Sequence, residues 1–300
     1  MTALEYFVQQ LVNALSVGSL YALIAVGLSL IFGILRLSNF AHGDMMMVGA
    51  FATLLIQASG VGLLTALLLG ILVAAVVGVI IERVAYRPVR GAPDVTMLLT
   101  SLALTYILEN LGILLFTASP RNFPLPDWVT RLWSFGDGRV TFTNINVLSF
   151  GLTLVSLVFL TWFMRRTTVG LGMRAAAEDL GAAHLVGIRV NRVIVVAFVL
   201  ASAFAGLAGV LWAAQSGVVD PLMGFTPLLK AFVAAIIGGL GSIPGAVLGG
   251  YLLGALEVLI VAFLPSEFSP YRDAIVFALL IAFLLLRPGG LLNVTREVKL

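Results

Sequence analysis

The most constraining feature of this sequence is the length of its charge-free apolar runs. No charged residue occurs between Glu5 and Arg36. As a helix this run would be about 45 Å long, whereas the hydrocarbon core of a bilayer is only ~30 Å thick. We therefore expect it to tilt, to break or to begin along the interface. Of the 300 residues, 61% are hydrophobic and 10% are charged, whereas about 25% of the residues in soluble domains are charged. We therefore expect the lipid bilayer to surround most of this chain.

Further apolar runs follow, and several are short or interrupted by glycine. We predict an all-α polytopic membrane protein with about 8–10 membrane segments, some of them broken or re-entrant. Residues 1–300 are expected to form a single transmembrane domain, and the start MTALEYF has no feature of a removable signal peptide. The further runs are Met45–Ser59, Leu63–Ile81, Thr96–Phe116, Val147–Met164, Val193–Gln215, Leu228–Leu240, Ala246–Leu264 and Ala274–Leu286.

The basic residues predict the orientation in the membrane. They lie in three groups that the positive-inside rule places in the cytoplasm, which gives a cytoplasmic C-terminus and, by counting crossings, an external N-terminus. Residues 117–143 then form an external loop, in which Asp127 and Asp137 offset three arginines. The cytoplasmic groups are Arg83, Arg87 and Arg90; Arg165, Arg166, Arg174, Arg189 and Arg192; and Arg287, Arg296 and Lys299. The loop arginines are Arg121, Arg131 and Arg139.

Residues 165–192, called the island below, are a polar stretch between two apolar runs. Within it, the alanine-rich sequence Met173–Val186 predicts one short helix with Glu178 and Asp179 in its first half, where acids favour the helix dipole. Gly187 stands where a C′ glycine would end that helix.

Small side chains mark one side of this predicted helix. Leu180, Ala183 and Gly187 share a face at three- and four-residue spacing, which allows close approach by another surface. Two interpretations follow from the pattern: a surface helix that connects two spans, or a docking helix for a cytoplasmic partner.

Three separated motifs resemble the branched-chain amino-acid permease family of ABC importers, in order over roughly residues 10–290. The island sequence GAAHLVG is similar to the E-A-A-x-x-x-G loop of importer permeases, with Gly181 in the position of the glutamate. The wider matches are RAAAEDLGAAHLVGI, the N-terminal SLYALIAVGLSLIFGILRLSNFAHGDMMMVGAF and the later KAFVAAIIGGLGSIPGAVLGGYLLGALE.

This resemblance implies a multi-pass subunit of a bacterial or archaeal cytoplasmic (inner) membrane. Its implied partners are two cytoplasmic ATP-binding subunits, a second homologous permease subunit or a second copy, and an external solute-binding protein. That protein would meet the 117–143 loop and the Gly217–Thr226 turn. The island becomes the coupling helix, and the implied contacts to the ATPase are Glu178, Asp179, Ala182, Ala183 and Gly187.

The chain itself has no ATP-binding loop. A P-loop requires G-x-x-x-x-G-K-[ST], and neither Lys230 nor Lys299, the only lysines, follows such a glycine loop. We expect a transport subunit rather than an enzyme, with no cofactor bound by this chain and ATP used by the partner subunits.

Two glycine-containing stretches are candidates for the translocation path. The segment Ser38–Asp44 contains Asn39, His42 and Asp44, and a broken helix there would offer backbone groups to a zwitterion. Gly239 and Gly241, in the sequence GGLGSIPGA, form its hypothetical counterpart in an internal repeat. The alternatives are an interfacial turn for the first stretch and close helix packing for the second.

Two acids inside apolar runs are also candidates for the path. Charges in the bilayer cost about 2.5–3.5 kcal/mol each on insertion scales, so Glu109 and Glu257 are expected to face protein or water. The alternative for each is an interhelical pair or a hydrogen-bonded carboxyl. His42 and Asp44 provide too few ligands for a metal, and the absence of cysteine excludes thiolate sites.

The leading functional interpretation is the permease subunit of an ATP-driven importer for branched-chain amino acids. Two alternatives stay open at this point. One is the same type of importer for urea, short amides or another small solute. The other is an ion-coupled secondary transporter or channel that works alone.

Overall fold

The computed structural model describes residues 2–36, 39–135, 140–265, 267, 271–287 and 289–292. It is a helical membrane bundle with a few short strands. The helices are α1 (Ala3–Leu35), α2 (Asp44–Ala58), α3 (Leu63–Ile81), α4 (Asp94–Phe116), α5 (Asp127–Thr130), α6 (Asn144–Arg166), α7 (Thr168–Glu178), α8 (Leu180–Leu185), α9 (Val190–Ser216), α10 (Phe225–Gly238), α11 (Ile243–Phe263) and α12 (Arg272–Leu286), with a 3₁₀ turn at Phe40–His42 and a π-helix at Glu82–Tyr86. The strands are β1 (Arg121–Asn122), β2 (Leu132–Phe135), β3 (Val140–Thr143) and β4 (Val218–Val219).

Six of these helices are long and apolar enough to cross a membrane, namely α1, α3, α4, α6, α9 and α11. The other apolar helices, α2, α10 and α12, have 15, 14 and 15 residues, so each is only about 22 Å long. These nine helices coincide with the nine predicted apolar runs, which confirms the polytopic all-α architecture with broken segments. The first run does not break, because α1 is one continuous helix of 33 residues.

The two ends of the chain form an inverted repeat of three helices, α1–α2–α3 and α9–α10–α11. Helix α1 packs against α9, α10 and α11, and α9 packs correspondingly against α1, α2 and α3. The central helices are antiparallel: Gln215 donates a hydrogen bond to Ser16 over 3.1 Å near one end, and Gly27 lies against Ala201 further along. Each half therefore supplies one long central helix, one half-helix and one outer helix.

The half-helices α2 and α10 begin inside the bundle rather than at its surface. The imidazole Nε2 of His42 lies 3.2 Å from the carbonyl oxygen of Ile24, about 16 Å along α1 from its end at Leu35. The start of α10 faces the start of α2, and a methyl group added to Gly224 would lie 2.1 Å from the carbonyl oxygen of Gly43. Glycine at both positions lets the two half-helix N-termini meet.

One face of the bundle, called the loop face, is formed by residues 117–143 and the stretch before α10. Strands β1 and β4 pair antiparallel and join these two segments, while β2 and β3 form a hairpin. The 117–143 loop and the Gly217–Thr226 turn thus share a face, as predicted. The predicted Asp137 and Arg139 lie outside the described residues.

The opposite face, called the island face, holds α7 and α8. Arg90, beyond the π-helix, forms an ion pair with the buried Glu82 and donates to Asn191 over 2.6 Å at the start of α9. Near the end of α12, the Leu291 amide donates to Ile237 over 2.6 Å. The described basic groups therefore share one face, as expected, while Arg296 and Lys299 lie outside the described residues.

Candidate functional site

The island folds as two helices rather than the single predicted one. Thr167 caps α7 by accepting a hydrogen bond from the Gly170 amide over 2.9 Å. The helix then breaks at Asp179, whose extended backbone places its carboxylate on the first turn of α8, where Oδ1 accepts from the Ala182 amide over 2.9 Å. An acidic residue that caps a helix at this position starts a new helix instead of continuing the old one. The alanine-rich sequence favoured one continuous helix and so did not indicate this break.

The capping bonds also account for the electrostatics of Asp179. The backbone amides of Ala182 and Gly181 donate to its carboxylate and hold the pKa of that group below its ordinary value. Hydrogen bonds to the charged form favour that form.

The predicted end of the island helix is confirmed. Gly187 has φ 83°, the left-handed conformation that glycine adopts without a steric penalty. Its amide donates to His184 and the next amide, of Ile188, donates to Ala183. This pair of bonds is the Schellman arrangement that terminates helices.

The surface that α8 exposes differs from the predicted one. Of the residues predicted to share the small-residue face, Ala183 is only 3% exposed and packs inside the chain, Leu180 is half-buried and Gly187 is exposed. The outward side instead exposes Leu185 (87%) and Val186 (75%), together with Ala182 and Gly187. The predicted face does not form, because Gly187 lies beyond the end of α8 at Leu185, where helical spacing no longer applies.

A cavity of about 990 Å³ opens beside the island. Its walls combine apolar residues of α1 and α11 with charged residues of the island, and Gly241 contributes to its rim. The charged lining residues are Arg36, Arg165, Arg174 and Glu178.

The residues predicted in the first broken segment are anchored inside the protein. Tyr86 donates to Oδ1 of Asn39 over 2.7 Å, and the imidazole of His42 contacts the α1 backbone. Asp44, the first residue of α2, is buried with Oδ2 lacking a hydrogen-bond partner among the described residues. These groups hold the half-helix junction together, and Ser38 lies outside the described residues.

The glycine-rich stretch of the second half is not the counterpart of Ser38–Asp44. It follows α10, and Gly241 packs against Gly33 of α1 while Ser242 caps α11. The true counterpart precedes α10, where Gly224 meets Gly43. The sequence hypothesis failed because the two repeats correspond in the order of their helices. The segment before α2 corresponds to the segment before α10, whereas the glycine-rich stretch follows α10.

Glu257 is the centre of an ionic cluster in which Glu257 and Lys230 are buried and Arg272 and Asp273 are partly exposed. Its Oε1 lies 2.8 Å from Nζ of Lys230 and 3.3 Å from Nε of Arg272, and its Oε2 accepts from the Tyr21 hydroxyl over 2.6 Å. Asp273 lies 3.1 Å from the same ammonium group. The cluster joins α1, α10, α11 and α12, so this acid has the interhelical pairing that was the alternative to a path role.

Glu109 has a different environment on α4. Its side chain is only partly buried, and it forms no hydrogen bond or ion pair within the described part of the chain. Its helix packs against the Phe40–His42 turn and against α2, which begins at Asp44. No group of three or more potential metal ligands is found among the described residues.

Comparison with known proteins identifies the family. Residues 10–284 match the family described as branched-chain amino acid transport system / permease component. The chain belongs to this permease family.

Individual relatives extend over nearly the whole chain. It is 40% identical to the high-affinity branched-chain amino acid transport system permease protein LivH of Salmonella typhimurium, over 96% of both chains. It is 38% identical to BraD of Pseudomonas aeruginosa, over 98% of both. A shorter match, 30% identical over 44% of this chain, is to the autoinducer 2 import system permease protein LsrC of Escherichia coli. No solved structure matches the chain.

Within this permease fold, the predicted path residues do not form one site. Asn39, His42 and Asp44 lie at the half-helix junction with Glu109 beside them, Gly239 and Gly241 lie at the island face, and Glu257 belongs to the ionic cluster. The sequence analysis did not select Leu185 and Val186. The feature that could have identified them is that two apolar residues stand side by side in a polar loop. Sequence reasoning also missed Tyr21, Arg272 and Asp273, which no local pattern connects to Glu257.

Proposed function

We propose that this protein is the membrane-spanning subunit of an ATP-driven importer for branched-chain amino acids, and that α7 and α8 couple it to separate ATPase subunits. The observation that carries the proposal is the exposed apolar pair Leu185 and Val186 on a short helix outside the spans. Apolar side chains exposed to water outside the spans are stabilised when a partner surface covers them. Glu178, Asp179, Ala182 and Gly187 surround it as the proposed contact.

The attachment of the island supports a role in transmitting movement. One residue, Thr167, separates α6 from α7, and α7 packs against α1, α6 and α9. A methyl group added to Gly170 would lie 2.3 Å from the carbonyl oxygen of Phe163, so α6 and α7 are in close contact. Displacement of α8 by a partner would therefore move the spans on both sides of the island.

The proposed cargo follows the relatives named above, whose names specify branched-chain amino acid transport. The spans supply mostly apolar walls with few polar groups, which suits an aliphatic side chain. ATP hydrolysis is assigned to other subunits because the sequence has no P-loop. This chain would then bind no cofactor of its own.

The proposed orientation places the island face in the cytoplasm. The basic groups on that face satisfy the positive-inside rule, and the joined β1–β4 segments on the loop face would meet an external solute-binding protein. The N-terminus is then external and the C-terminus cytoplasmic, in the inner membrane of the cell.

The coupling role is tested by charging the apolar pair. We expect the double variant Leu185→Asp and Val186→Asp to insert normally, to lose the co-purifying ATPase in mild detergent, and to lose ATP-dependent leucine uptake after reconstitution. Leu132→Asp, an exposed leucine on the loop face, is the matched control and should retain the ATPase. Unchanged ATPase recovery in the double variant would refute the assigned contact.

The same reconstituted system tests energy source and cargo. Leucine uptake should require ATP and persist with a protonophore. Uptake that continues without ATP and collapses with a protonophore would support the ion-coupled alternative. ATP-dependent uptake of urea or short amides, but not of leucine, would contradict the proposed cargo and would still support an ATP-driven importer.

A further inference from the structure

A groove lies between α6 and α11 on the half of the bundle nearest the island face. Both helices pack on α1, and Phe150 of α6 contacts Tyr251 of α11 with ring centroids 6.5 Å apart. Toward the island face the same two helices form the walls of a groove of about 700 Å³. Its apolar lining includes Leu157, Val158, Trp162, Ile243, Val247 and Leu248.

The groove is open on its outer side and has the depth of one lipid leaflet. Val158 is 61% exposed and Leu248 is 49% exposed. The α6 wall extends from Leu157 to Arg166 within a helix long and apolar enough to cross a membrane. Those residues cover about 14 Å along the helix, whereas one leaflet of a ~30 Å hydrocarbon core is ~15 Å deep. An extended acyl chain therefore fits alongside this wall.

At the island face the groove continues into the cavity of about 990 Å³ described above. Arg166 lines the groove, Arg36 and Arg174 line the cavity, and Arg165 lines both. All four arginines are exposed, and Glu178 is the one acid among the described residues that line these two spaces. The combined lining is therefore net positive. The residues that line both spaces are Thr161, Arg165, Ile243 and Pro244.

The inner wall of the cavity carries a buried hydroxyl group without a partner. Ser29 of α1 lines the cavity, and its Oγ has no hydrogen-bond partner among the described residues. It precedes Arg36 by seven residues, so it lies about 10 Å deeper along the helix. Since buried polar groups are normally hydrogen-bonded, this hydroxyl group indicates a ligand with an oxygen atom below the level of the arginines.

We propose that the groove and the cavity together bind one anionic phospholipid from the leaflet on the island face. An acyl chain lies between α6 and α11, and the phosphate group lies at Arg165 and the neighbouring arginines. Guanidinium groups bind phosphates through two parallel hydrogen bonds. The ester oxygens of the lipid lie between its phosphate and its chains, where the Ser29 hydroxyl group can donate to one of them. This site goes beyond the proposed function and does not depend on it.

The combination of charge and apolar surface selects this ligand over others. A phospholipid with a zwitterionic headgroup has no net charge, so a net positive lining favours an anionic one, as in other basic pockets between helices at a membrane surface. A soluble phosphate compound would leave the apolar groove empty. An apolar protein segment would fill the groove but would leave the arginines without an anion.

Native mass spectrometry of the full chain tests the ligand. The protein is purified in mild detergent, freed of lipid, and mixed with phosphatidylglycerol or with phosphatidylcholine that carries the same acyl chains. We expect one phosphatidylglycerol molecule to be retained, with an affinity roughly tenfold higher than that for phosphatidylcholine, the size of one charged hydrogen bond. Equal affinity for the two lipids would overturn the proposal.

Matched arginine variants test the position of the headgroup. Arg165→Gln with Arg166→Gln should lower the affinity for phosphatidylglycerol roughly tenfold. The control is Arg83→Gln with Arg87→Gln, which removes the same charge from exposed arginines that line neither space. Thermal unfolding without added lipid checks that both double variants fold. Equal losses of affinity would show general attraction to a basic face and would overturn the site.

Filling the groove tests the position of the acyl chain without changing any charge. Val158→Trp places a larger apolar side chain in the groove and should lower the affinity for phosphatidylglycerol. Leu154→Trp is the control, because Leu154 lies one turn earlier on α6, is 50% exposed and does not line the groove. Unchanged affinity in the Val158→Trp variant would contradict the assigned position of the chain.

A soluble phosphate ester distinguishes a lipid site from a simple anion site. Glycerol 3-phosphate carries a phosphate ester without acyl chains, and it should not displace phosphatidylglycerol even in large excess. Displacement at concentrations comparable to that of the lipid would show that the arginines bind free phosphate, and would overturn the lipid assignment. These measurements use neither ATP nor a partner subunit, so their failure would leave the importer proposal standing.

Discussion

Glu257 and Glu109, two of the glutamates inside the spans, have the same chemistry and different surroundings. Glu257 lies between four helices and is contacted by an ammonium group, a guanidinium group and a phenol. Glu109 is half-buried on α4 and has no such partner in the described part of the chain. Burying a carboxylate is tolerated when it is paired and hydrogen-bonded. The first acid is therefore held by partners within the subunit, whereas the second is not.

The comparison shows that the presence of an acidic residue in a membrane span does not define its role, because the groups around it differ from one acid to another. Lys230 comes from α10 and Arg272 from α12, and both of these helices pack against α11, which carries Glu257. Helix α4, which belongs to neither repeat, carries Glu109 without such partners in the described part of the chain. The difference suggests variants that separate stability from function, given below from the largest expected effect on stability to the smallest.

The largest effect is expected from removing Glu257. Glu257→Leu removes the buried carboxylate beside the ammonium group of Lys230 and leaves only the partly exposed Asp273 at 3.1 Å. We expect a loss of stability of up to about 3–5 kcal/mol, the range for breaking a buried pair. Thermal unfolding of the purified subunit in detergent measures it. The double variant Glu257→Leu with Lys230→Met removes both charges and should recover most of the loss. A double variant as unstable as the single one would contradict pairing as the role of Glu257.

A smaller effect is expected at Tyr21. Tyr21→Phe keeps the ring beneath Lys230 but removes the 2.6 Å hydrogen bond to Glu257, so we expect a loss of about 1.5–3 kcal/mol, as for bonds to charged groups. The same unfolding assay measures it. In the Glu257→Leu background the substitution should have little further effect, and full additivity would argue that the two side chains act independently.

At Glu109 stability and function should separate. Glu109→Gln is expected to change the stability of the isolated subunit by less than about 0.5 kcal/mol, because no partner in the described chain is lost. Leucine uptake by the assembled system should fall roughly tenfold, the size of one charged hydrogen bond. Normal leucine uptake by vesicles that contain the Glu109→Gln variant would contradict a role for Glu109 in transport.

The smallest effect on global stability is expected at Asp179, an acid outside the spans. Its folded pKa is depressed, so its capping contribution is present above the unfolded pKa and is lost as the pH falls through the folded pKa. Hydrogen exchange at the Ala182 amide should therefore accelerate at acidic pH, relative to other amides. Asp179→Asn keeps a capping oxygen without the charge and should abolish this acid dependence. An unchanged acid dependence in the Asn variant would contradict the assignment.

Much of the membrane architecture could be predicted because hydrophobicity is a local property. The apolar run Leu63–Ile81 coincides with α3, and the short runs became the half-helices. Gly187 ended α8 as expected, because the left-handed backbone conformation favours glycine at a single position. The break at Asp179 was missed because its capping bond competes with alanine propensity, and sequence pattern alone did not decide between them.

The candidate sites could be predicted only as residues and not as environments. Glu109 and Glu257 were selected for the same reason, and nothing in the adjacent sequence distinguishes them. Glu257 and Tyr21 are separated by 236 positions along the chain. The outward direction of Leu185 likewise depends on how α7 and α8 pack on the spans.

The sequence by itself determined that this protein lives in a bilayer, where its spans lie, and which family it resembles, because each of these depends on composition or contiguous motifs. Only the tertiary structure decided which broken segments face each other and which acid is paired. Pairing between helices depends on contacts between residues far apart in the chain, and an inverted repeat brings them together by geometry that local sequence does not encode.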